Sequence, residues 1–285
     1  MKRLWTREET IVALYVYCIV PFTLTNKHNP TIIEYAKKLN RTPSSLGMKI
    51  GNIGRLDPEL KRQSISGLSN GAKLEEVVWN EFNGDRENLV LTAEKILADL
   101  SNRSIEDKYL EDYEKDYTGD EKERLVKTRV NQDFFRSAVL SAYNGKCAIT
   151  GVGINDFLIA SHIVPWSEDK SIRLDPKNGI CLNSIHDKAF DRGFITIDND
   201  YRVVVSNKLK EVYSNEFIDR VFKSYEGTKI SLPDKFIPSK DYLQYHQDKI
   251  FLAKKRGYVS IAFIFISILF KSLFKYGYQF AAFYH

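Results

Sequence analysis

Hydrophobic positions in the N-terminal third of the chain recur every three or four residues, the spacing of amphipathic helices. Thr6 and Glu9 form a capping box that starts the first helix. Its expected inner face holds Ile11, Leu14, Tyr15 and Cys18. The chain is therefore predicted to begin with a helical region.

Two short helices, each with proline at its first position, are predicted next. Pro30 follows Asn29 and Pro43 follows Thr42, and Asn and Thr are good N-caps. The buried stripes would be Ile32, Ala36 and Leu39, then Leu46, Ile50 and Ile53. Two capped helices joined by a tight turn outline a helix-turn-helix.

The outer face of the second helix would offer small or polar groups to DNA. These groups are Ser44, Ser45, Lys49 and Asn52. Residues 30–73 hold eight Lys or Arg against three acidic residues, which favours phosphate contact. Residues 1–98 are therefore a candidate DNA-recognition domain with Lys49 as a phosphate contact, although a solvated helical pair fits equally well.

The charge pattern changes at residues 99–123, which hold ten acidic and four basic residues. Phosphate would repel this stretch, so it predicts a linker or an exposed helix. Asn131 is then expected to cap a helix that ends at Gly145. The apolar face of that helix would hold Phe134, Phe135, Ala138, Val139 and Ala142. A compact domain is predicted over residues 124–255.

Within this domain, residues 156–162 predict a strand ending at His162, and residues 180–182 predict a second strand after Asn178. A helix capped by Asn183 or Ser184 would follow and stop at Gly193, with Ile185 and Ala189 on its inner face and Phe190 at the edge of that face.

A β-hairpin is predicted over residues 194–205, and a helical and loop extension over residues 206–255, where His246 is expected to be structural. The fold class is α+β: a helical N-terminal domain followed by a small ββα unit with a β-hairpin.

Composition bounds the class of protein. A chain of 285 residues with 43% hydrophobic residues can bury a core, which excludes a disordered protein, and its net charge of +5 is compatible with nucleic acid. Cys18, Cys147 and Cys181 are odd in number and far apart, which favours a reducing cytoplasm over a disulfide framework. The N-terminus lacks the apolar core of a signal peptide.

Residues 256–285 form an apolar tail. A strongly apolar run of 13 residues covers residues 258–270 before Lys271 and Lys275. Because a membrane span needs about 20 apolar residues, a packed helix or a non-native extension of the reading frame is favoured. A membrane-attached effector is the alternative, and it predicts that the full-length protein sediments with membranes.

His162 poses the chemical question, because a lone histidine at a strand end is commonly held in the core by a backbone hydrogen bond. At 100° per residue, His186 points inward from its helix, while Asp187 and Asp191 lie on the other side. His162, Asn178 and His186 could therefore converge, although an inward His186 could also be a core histidine.

Four motifs in this region together resemble the HNH endonucleases, in the subgroup whose first histidine sits in an "aHI" setting. They are CAITG (147–151), SHIVPW (161–166), DPKNGICL (175–182) and HDKAFDRGFITID (186–198). The three-letter pattern falls on His162, Asn178 and His186, with fifteen and then seven residues between them. The resemblance is dense over residues 131–205, and residues 1–98 more loosely resemble the helical domain of some restriction-type nucleases.

The resemblance implies hydrolysis of DNA phosphodiester bonds, leaving 5′-phosphate and 3′-hydroxyl ends. His162 would be the general base, Asn178 would orient its imidazole through a hydrogen bond, and His186 would bind a metal. One divalent cation, Mg²⁺ or Mn²⁺ in its place, would stabilise the leaving oxygen. Double-stranded DNA is the implied substrate, cutting both strands would favour a homodimer, and restriction or phage defence follows by analogy.

Two departures from the family pattern leave the metal ligands open. Ser161 stands where many HNH proteins carry Asp or His just before the base. The third family residue often lies one position further, at Asp187, although helix geometry favours His186, with Asp187 or Asp191 as its partner ligand. A DNA-binding protein on an HNH scaffold that does not cut is the leading alternative.

Some HNH proteins also bind zinc through four cysteines, whereas this chain keeps one from each pair, Cys147 and Cys181. Zinc needs four ligands, so we expect no structural zinc and two buried thiols. Arg192, Arg173 or Lys188 could hold substrate phosphates, the alternative for each being a solvated charge.

Overall fold

A computed structural model describes residues 3–64, 71–110, 119–213 and 215–253. The N-terminal part is helical, with α1 (Arg7–Ile19), α2 (Pro30–Lys38), α3 (Pro43–Gly54), α4 (Pro58–Arg62), α5 (Lys73–Phe82), α6 (Arg86–Leu100) and α7 (Ile105–Leu110). The long helix α8 (Gly119–Ala142) follows. The rest holds β1 (Leu158–His162), β2 (Gly179–Asn183), α9 (Ser184–Asp191), β3 (Ile195–Ile197), β4 (Val203–Val205), α10 (Glu216–Val221) and α11 (Lys240–Lys249).

The fold is α+β, as predicted, with helices first and small antiparallel sheets after them. The apolar tail at residues 256–285 and part of the acidic stretch, residues 111–118, lie outside the described residues. Across the described ranges, no helix is both long and apolar enough to cross a membrane.

Helix α1 is the centre of the helical part. The predicted capping box of Thr6 and Glu9 is present. Every residue from 9 to 18 is buried, because α3, α5, α6 and α8 all pack against this helix. The prediction of one apolar face was therefore too narrow, since a helix that is apolar all round is buried all round.

Helices α2 and α3 form the predicted pair, and Asn29 and Thr42 cap them as expected. All six residues of the predicted buried stripes are buried. The prediction for Lys49 is wrong, because α5 packs against α3. Lys49 is 5% exposed and forms a 2.6 Å ion pair with Glu75 of α5, so it is unavailable to phosphate.

Helix α8 starts at Gly119, well before the predicted cap at Asn131. Asn131 instead lies inside the helix, where its Nδ2 donates to Glu87 at 2.8 Å. The helix is longer than predicted because the buried face continues back through Val126 and Val130. Its C-terminal half buries all five predicted apolar residues.

Two faces of α8 serve two parts of the molecule. The helix packs against α1 and α6 of the helical part and against β1 and β2 of the following part. One hydrophobic cluster consequently runs from Ile11 in α1 to Leu243 in α11.

The ββα unit forms as predicted. Strands β1 and β2 are antiparallel, with His162 opposite Gly179, and α9 packs on both strands. Asn183 caps α9. The inner face of α9 differs from the prediction in one residue, since Ile185 is 48% exposed while His186, Ala189 and Phe190 are buried.

The predicted hairpin is also present, as β3 paired antiparallel with β4. The extension after it returns to the helical part through Lys235, which is fully buried. The Lys235 ammonium donates to the carbonyl oxygens of Tyr17 and, at 2.7 Å, of Val20. A cation at the end of α1 complements the negative end of the helix dipole.

Candidate active site

His162 lies at the end of β1 with its imidazole held on three sides. The Phe135 ring of α8 stacks on it, with 3.8 Å between ring centroids and 8° between planes. Trp166 meets it edge-on at 5.5 Å. The His162 Nε2 is 3.0 Å from the backbone oxygen of Arg173. The ring therefore has a fixed plane and a fixed direction.

The contact with Arg173 also selects the tautomer of His162. A carbonyl oxygen only accepts hydrogen bonds, so Nε2 carries the proton and Nδ1 keeps its lone pair. Burial lowers the pKa of His162 below 6.5, and the hydrogen bond to the Arg173 carbonyl offsets only part of that effect. The histidine is thus neutral near pH 7 and able to accept a proton at Nδ1.

Asn178 is buried at the end of the segment that pairs with His162, but it does not contact the imidazole. Its Oδ1 accepts from the Val164 N–H at 2.8 Å, and its Nδ2 donates to the Val164 carbonyl at 3.1 Å. Its own carbonyl accepts from Ile163 at 2.9 Å. The expected bond to the ring is replaced by a clamp on the two residues after His162.

His186 does not join His162, because both of its ring nitrogens are used elsewhere. Its Nδ1 is 2.9 Å from the Asn183 side chain and its Nε2 is 2.8 Å from the Val221 carbonyl. The residue is 2% exposed and lies edge-on to the rings of Phe222 and Tyr225. The expectation that it binds metal fails, since it is a satisfied core histidine.

The residues of α9 that share a cavity with His162 lie on a different face of this helix from His186. A cavity of about 480 Å³ is lined by Ser161, His162, Asp187 and Asp191 among others. Neighbouring residues in a strand point to opposite faces. His162 therefore leans on α8, while Ser161 turns toward α9.

Asp187 and Asp191 lie one helical turn apart on α9 and both line the cavity. Burial raises the pKa of Asp187, and the charge of Asp191 raises it further. Burial also raises the pKa of Asp191, against the opposing charges of Lys188 and Arg192. Two mutually repelling carboxylates in one cavity favour a bound cation.

A model of the HNH endonuclease family matches residues 147–198. This stretch of the chain belongs to the HNH endonuclease family. The match contains β1, β2, α9 and β3, together with His162, Asn178 and Asp187. An HNH endonuclease domain indicates nuclease activity on DNA. No curated protein matches the chain.

The donors of the HNH domain suit a magnesium ion better than a zinc ion. Asp187 and Asp191 are hard oxygen donors, and Mg²⁺ is commonly bound through one or two carboxylates while keeping several waters. Within the described part of the chain, no three His, Cys, Asp or Glu side chains are grouped closely enough to enclose a metal.

Ser161 adds an orphaned polar atom to this site. Its hydroxyl is buried, and no described residue forms a regular hydrogen bond with it. It nevertheless lies close enough to the Asp187 carboxyl to oppose part of the rise in the pKa of that group. The hydroxyl is thus left for a water or an ion beside the carboxylates, which fits a divalent cation that keeps its waters.

The other predicted residues of the HNH domain have three different placements. Lys188 and Arg192 are exposed and line the cavity of His162, where they can reach a phosphate. Arg173 does not line this cavity, and its Nε donates to the Trp166 carbonyl at 2.6 Å. His246 is buried between Thr196 and the Phe190 carbonyl, as expected of a structural residue.

Sequence reasoning missed what fixes the imidazole: Phe135, and the Arg173 carbonyl. The sequence identified Phe135 only as an apolar position of a helix. Every residue has a backbone carbonyl, so the sequence does not show which one contacts His162. The two cysteines agree with their prediction, since Cys147 and Cys181 are free and buried.

Proposed function

We propose that this protein is a metal-dependent endonuclease that hydrolyses DNA phosphodiester bonds with His162 as general base. The observation that carries the proposal is the pairing of a neutral histidine of fixed tautomer with two carboxylates around one cavity. Acid–base work at neutral pH and charge stabilisation are the two requirements of phosphodiester hydrolysis.

Each residue has a distinct part in this proposal. His162 accepts the proton of the attacking water at Nδ1, because Nε2 is committed to Arg173. Asn178 positions the base by clamping Val164. Lys188 and Arg192 neutralise the phosphate that enters the cavity.

Asp187 and Asp191 would hold the divalent ion, which we propose to be Mg²⁺ with Mn²⁺ able to replace it. When bound, the ion supplies positive charge at the phosphate and leaving oxygen. His186 has no role in binding it, because its nitrogens are occupied in the core.

The wider role is also a proposal. We infer a double-stranded DNA substrate, a homodimer for cutting both strands, and a function in restriction or phage defence by analogy with related nucleases. We place the protein in the cytoplasm because Cys18, Cys147 and Cys181 are free thiols.

The deciding experiment incubates the full-length protein with supercoiled plasmid in Mg²⁺, in Mn²⁺ or in EDTA. We expect nicking or linearisation that needs the metal and is lost in His162→Ala. His28→Ala is the matched control, because His28 is exposed and outside the cavity. It should cut like the wild type.

The alternative is a DNA-binding protein that does not cut, and the absence of Asp or His at Ser161 favours it. Its outcome is distinct: wild type and His162→Ala would both shift DNA on a gel, and neither would cut in any metal. That result would reject the endonuclease proposal in favour of a DNA-binding protein that does not cut.

A further inference from the structure

A second cavity lies beyond Trp166, and the proposed chemistry does not use it. Its volume is about 650 Å³. Its walls are the start of α6, the first half of α8 and the loop of residues 166–174. Trp166 lines this cavity as well as the cavity of His162. We call it the basic cleft.

The lining of the basic cleft carries an excess of positive charge. Its cations are Arg86, Arg124, Lys127, Lys170 and Arg173, and its acids are Asp85 and Glu87. Both acids are engaged by the protein itself. Asp85 accepts from the Asn88 N–H at 3.0 Å, and Glu87 accepts from Asn131 and pairs with Lys127 at 3.2 Å.

Three of the cations keep donors for a ligand. Arg124 and Lys170 are exposed, and no described residue forms an ion pair with either of them. The Nε of Arg173 donates to the Trp166 carbonyl, and both terminal nitrogens of its guanidinium remain available to a ligand. Arg86, by contrast, is turned inward toward Asn83 and Cys18.

The loop that separates the cleft from the HNH site also fixes the general base. Arg173 contributes its side chain to the cleft and its carbonyl to His162 Nε2. Its guanidinium lies 5.1 Å over the Trp166 ring, which holds both residues in one arrangement. A polyanion in the cleft would therefore touch the same loop that positions the base.

We propose that the basic cleft binds the sugar-phosphate backbone of DNA beside the scissile bond, through Arg124, Lys170 and Arg173. This inference rests on the proposed nuclease function, and it names where the substrate backbone lies. The contacts are with phosphates, so they add affinity and register and no sequence preference.

The test measures binding of a labelled DNA duplex to the full-length protein carrying His162→Ala, by fluorescence anisotropy across a series of KCl concentrations. The cleft variant is Arg124→Gln with Lys170→Gln. The control is Lys95→Gln with Arg103→Gln, which removes the same charge from exposed positions that do not line the cleft.

We expect the cleft variant to bind about 10-fold more weakly at low salt. The slope of log K against log salt should fall by about 2, since each lost phosphate contact removes about 0.9. The loss of affinity should therefore exceed about 10-fold at the lowest salt concentrations and shrink as KCl is raised. The control should match the parent. Arg124→Glu with Lys170→Glu should weaken binding further, and circular dichroism checks that each variant is folded.

The inference is overturned if the cleft variant keeps the parent's slope, if the control loses as much, or if the parent does not bind duplex DNA. A plasmid cleavage assay on the protein that retains His162 tests the proposed nuclease function separately from the cleft. Cleavage that depends on His162 with an unchanged slope rejects the cleft alone. A reduced slope without cleavage rejects the nuclease alone.

Discussion

At the scale of single residues, a backbone carbonyl determines what His162 can do. The Arg173 oxygen commits Nε2, and the stacked ring of Phe135 excludes water from one face of the imidazole. Burial disfavours the charged form, so the pKa of His162 lies below 6.5. In its proposed role as general base, His162 would therefore be neutral and ready to accept a proton near pH 7.

The pH dependence of cleavage follows from this pKa. Protonation removes the base, so kcat/KM at saturating Mg²⁺ should fall on acidification with a midpoint below pH 6.5 and stay level above it. Phe135→Leu uncovers the imidazole and should move the midpoint upward. A midpoint above 6.5 in the wild type would contradict the assignment of His162 as the base.

His186 and Asp187 are adjacent in α9, and substitutions can separate the roles proposed for them. Asp187→Asn removes one of the two proposed charged ligands and should weaken Mg²⁺ binding by at least about 10-fold in calorimetric titration. His186→Gln should leave that affinity unchanged while lowering the free energy of unfolding by about 1–3 kcal/mol, because two buried hydrogen bonds are disturbed. Equal losses of Mg²⁺ affinity in the two variants would restore His186 as a ligand.

At the scale of elements, the site depends on the close approach of α8 to β2. Gly179 makes this approach possible, since a Cβ at that position would lie 2.3 Å from Val139 Cγ2 and 3.0 Å from Phe135 Cζ. Both contacts involve α8, and Phe135 is the ring that stacks on His162. The packing of β2 on α8 and the position of the His162 ring therefore depend on the same contact.

Gly179→Ala should force α8 and β2 apart. We expect the free energy of unfolding to fall by about 1–3 kcal/mol in urea denaturation, together with a loss of cleavage rate. Gly47→Ala is the matched control, because Gly47 lines neither cavity and its added Cβ would come no closer than 3.6 Å to any atom outside its own helix. A Gly179→Ala protein as stable and active as the control would show that the contact relaxes freely.

Local patterns predicted the elements well where the elements depend on their own residues. The caps Asn29, Thr42 and Asn183 and the strands around His162 follow from short-range chemistry. Properties that depend on a partner were missed. Lys49 fits an exposed face of α3 until α5 covers it, and Ile185 fits an inner face although no element covers it.

The same limit applies to the candidate site. The family motifs predicted His162, Asn178 and His186 as its residues, with Asp187 or Asp191 as a partner ligand. The choice between His186 and Asp187 as a candidate metal ligand depends on the positions of Asn183 and Val221. The Asn183 side chain donates to one ring nitrogen of His186, and the Val221 carbonyl accepts from the other. A helical wheel gives the direction of a side chain and says nothing about whether its partners are already present.

At the scale of the whole molecule, α8 belongs to two parts at once. One end of the cluster around it lies in α1, and the other reaches the sheet that carries His162. Lys235 adds a second connection by binding the end of α1 from the C-terminal side. The basic cleft lies between these parts, so its shape depends on both.

The shared core limits how a chain of this architecture can diversify. A recognition module joined by a tether can be exchanged between genes as a cassette, because its folding is independent of its neighbour. Here a transplanted set of N-terminal helices would lack the surface of α8 on which α1 and α6 pack. New specificities would have to arise by gradual substitution on the outer surface, with the buried face of α8 inherited unchanged.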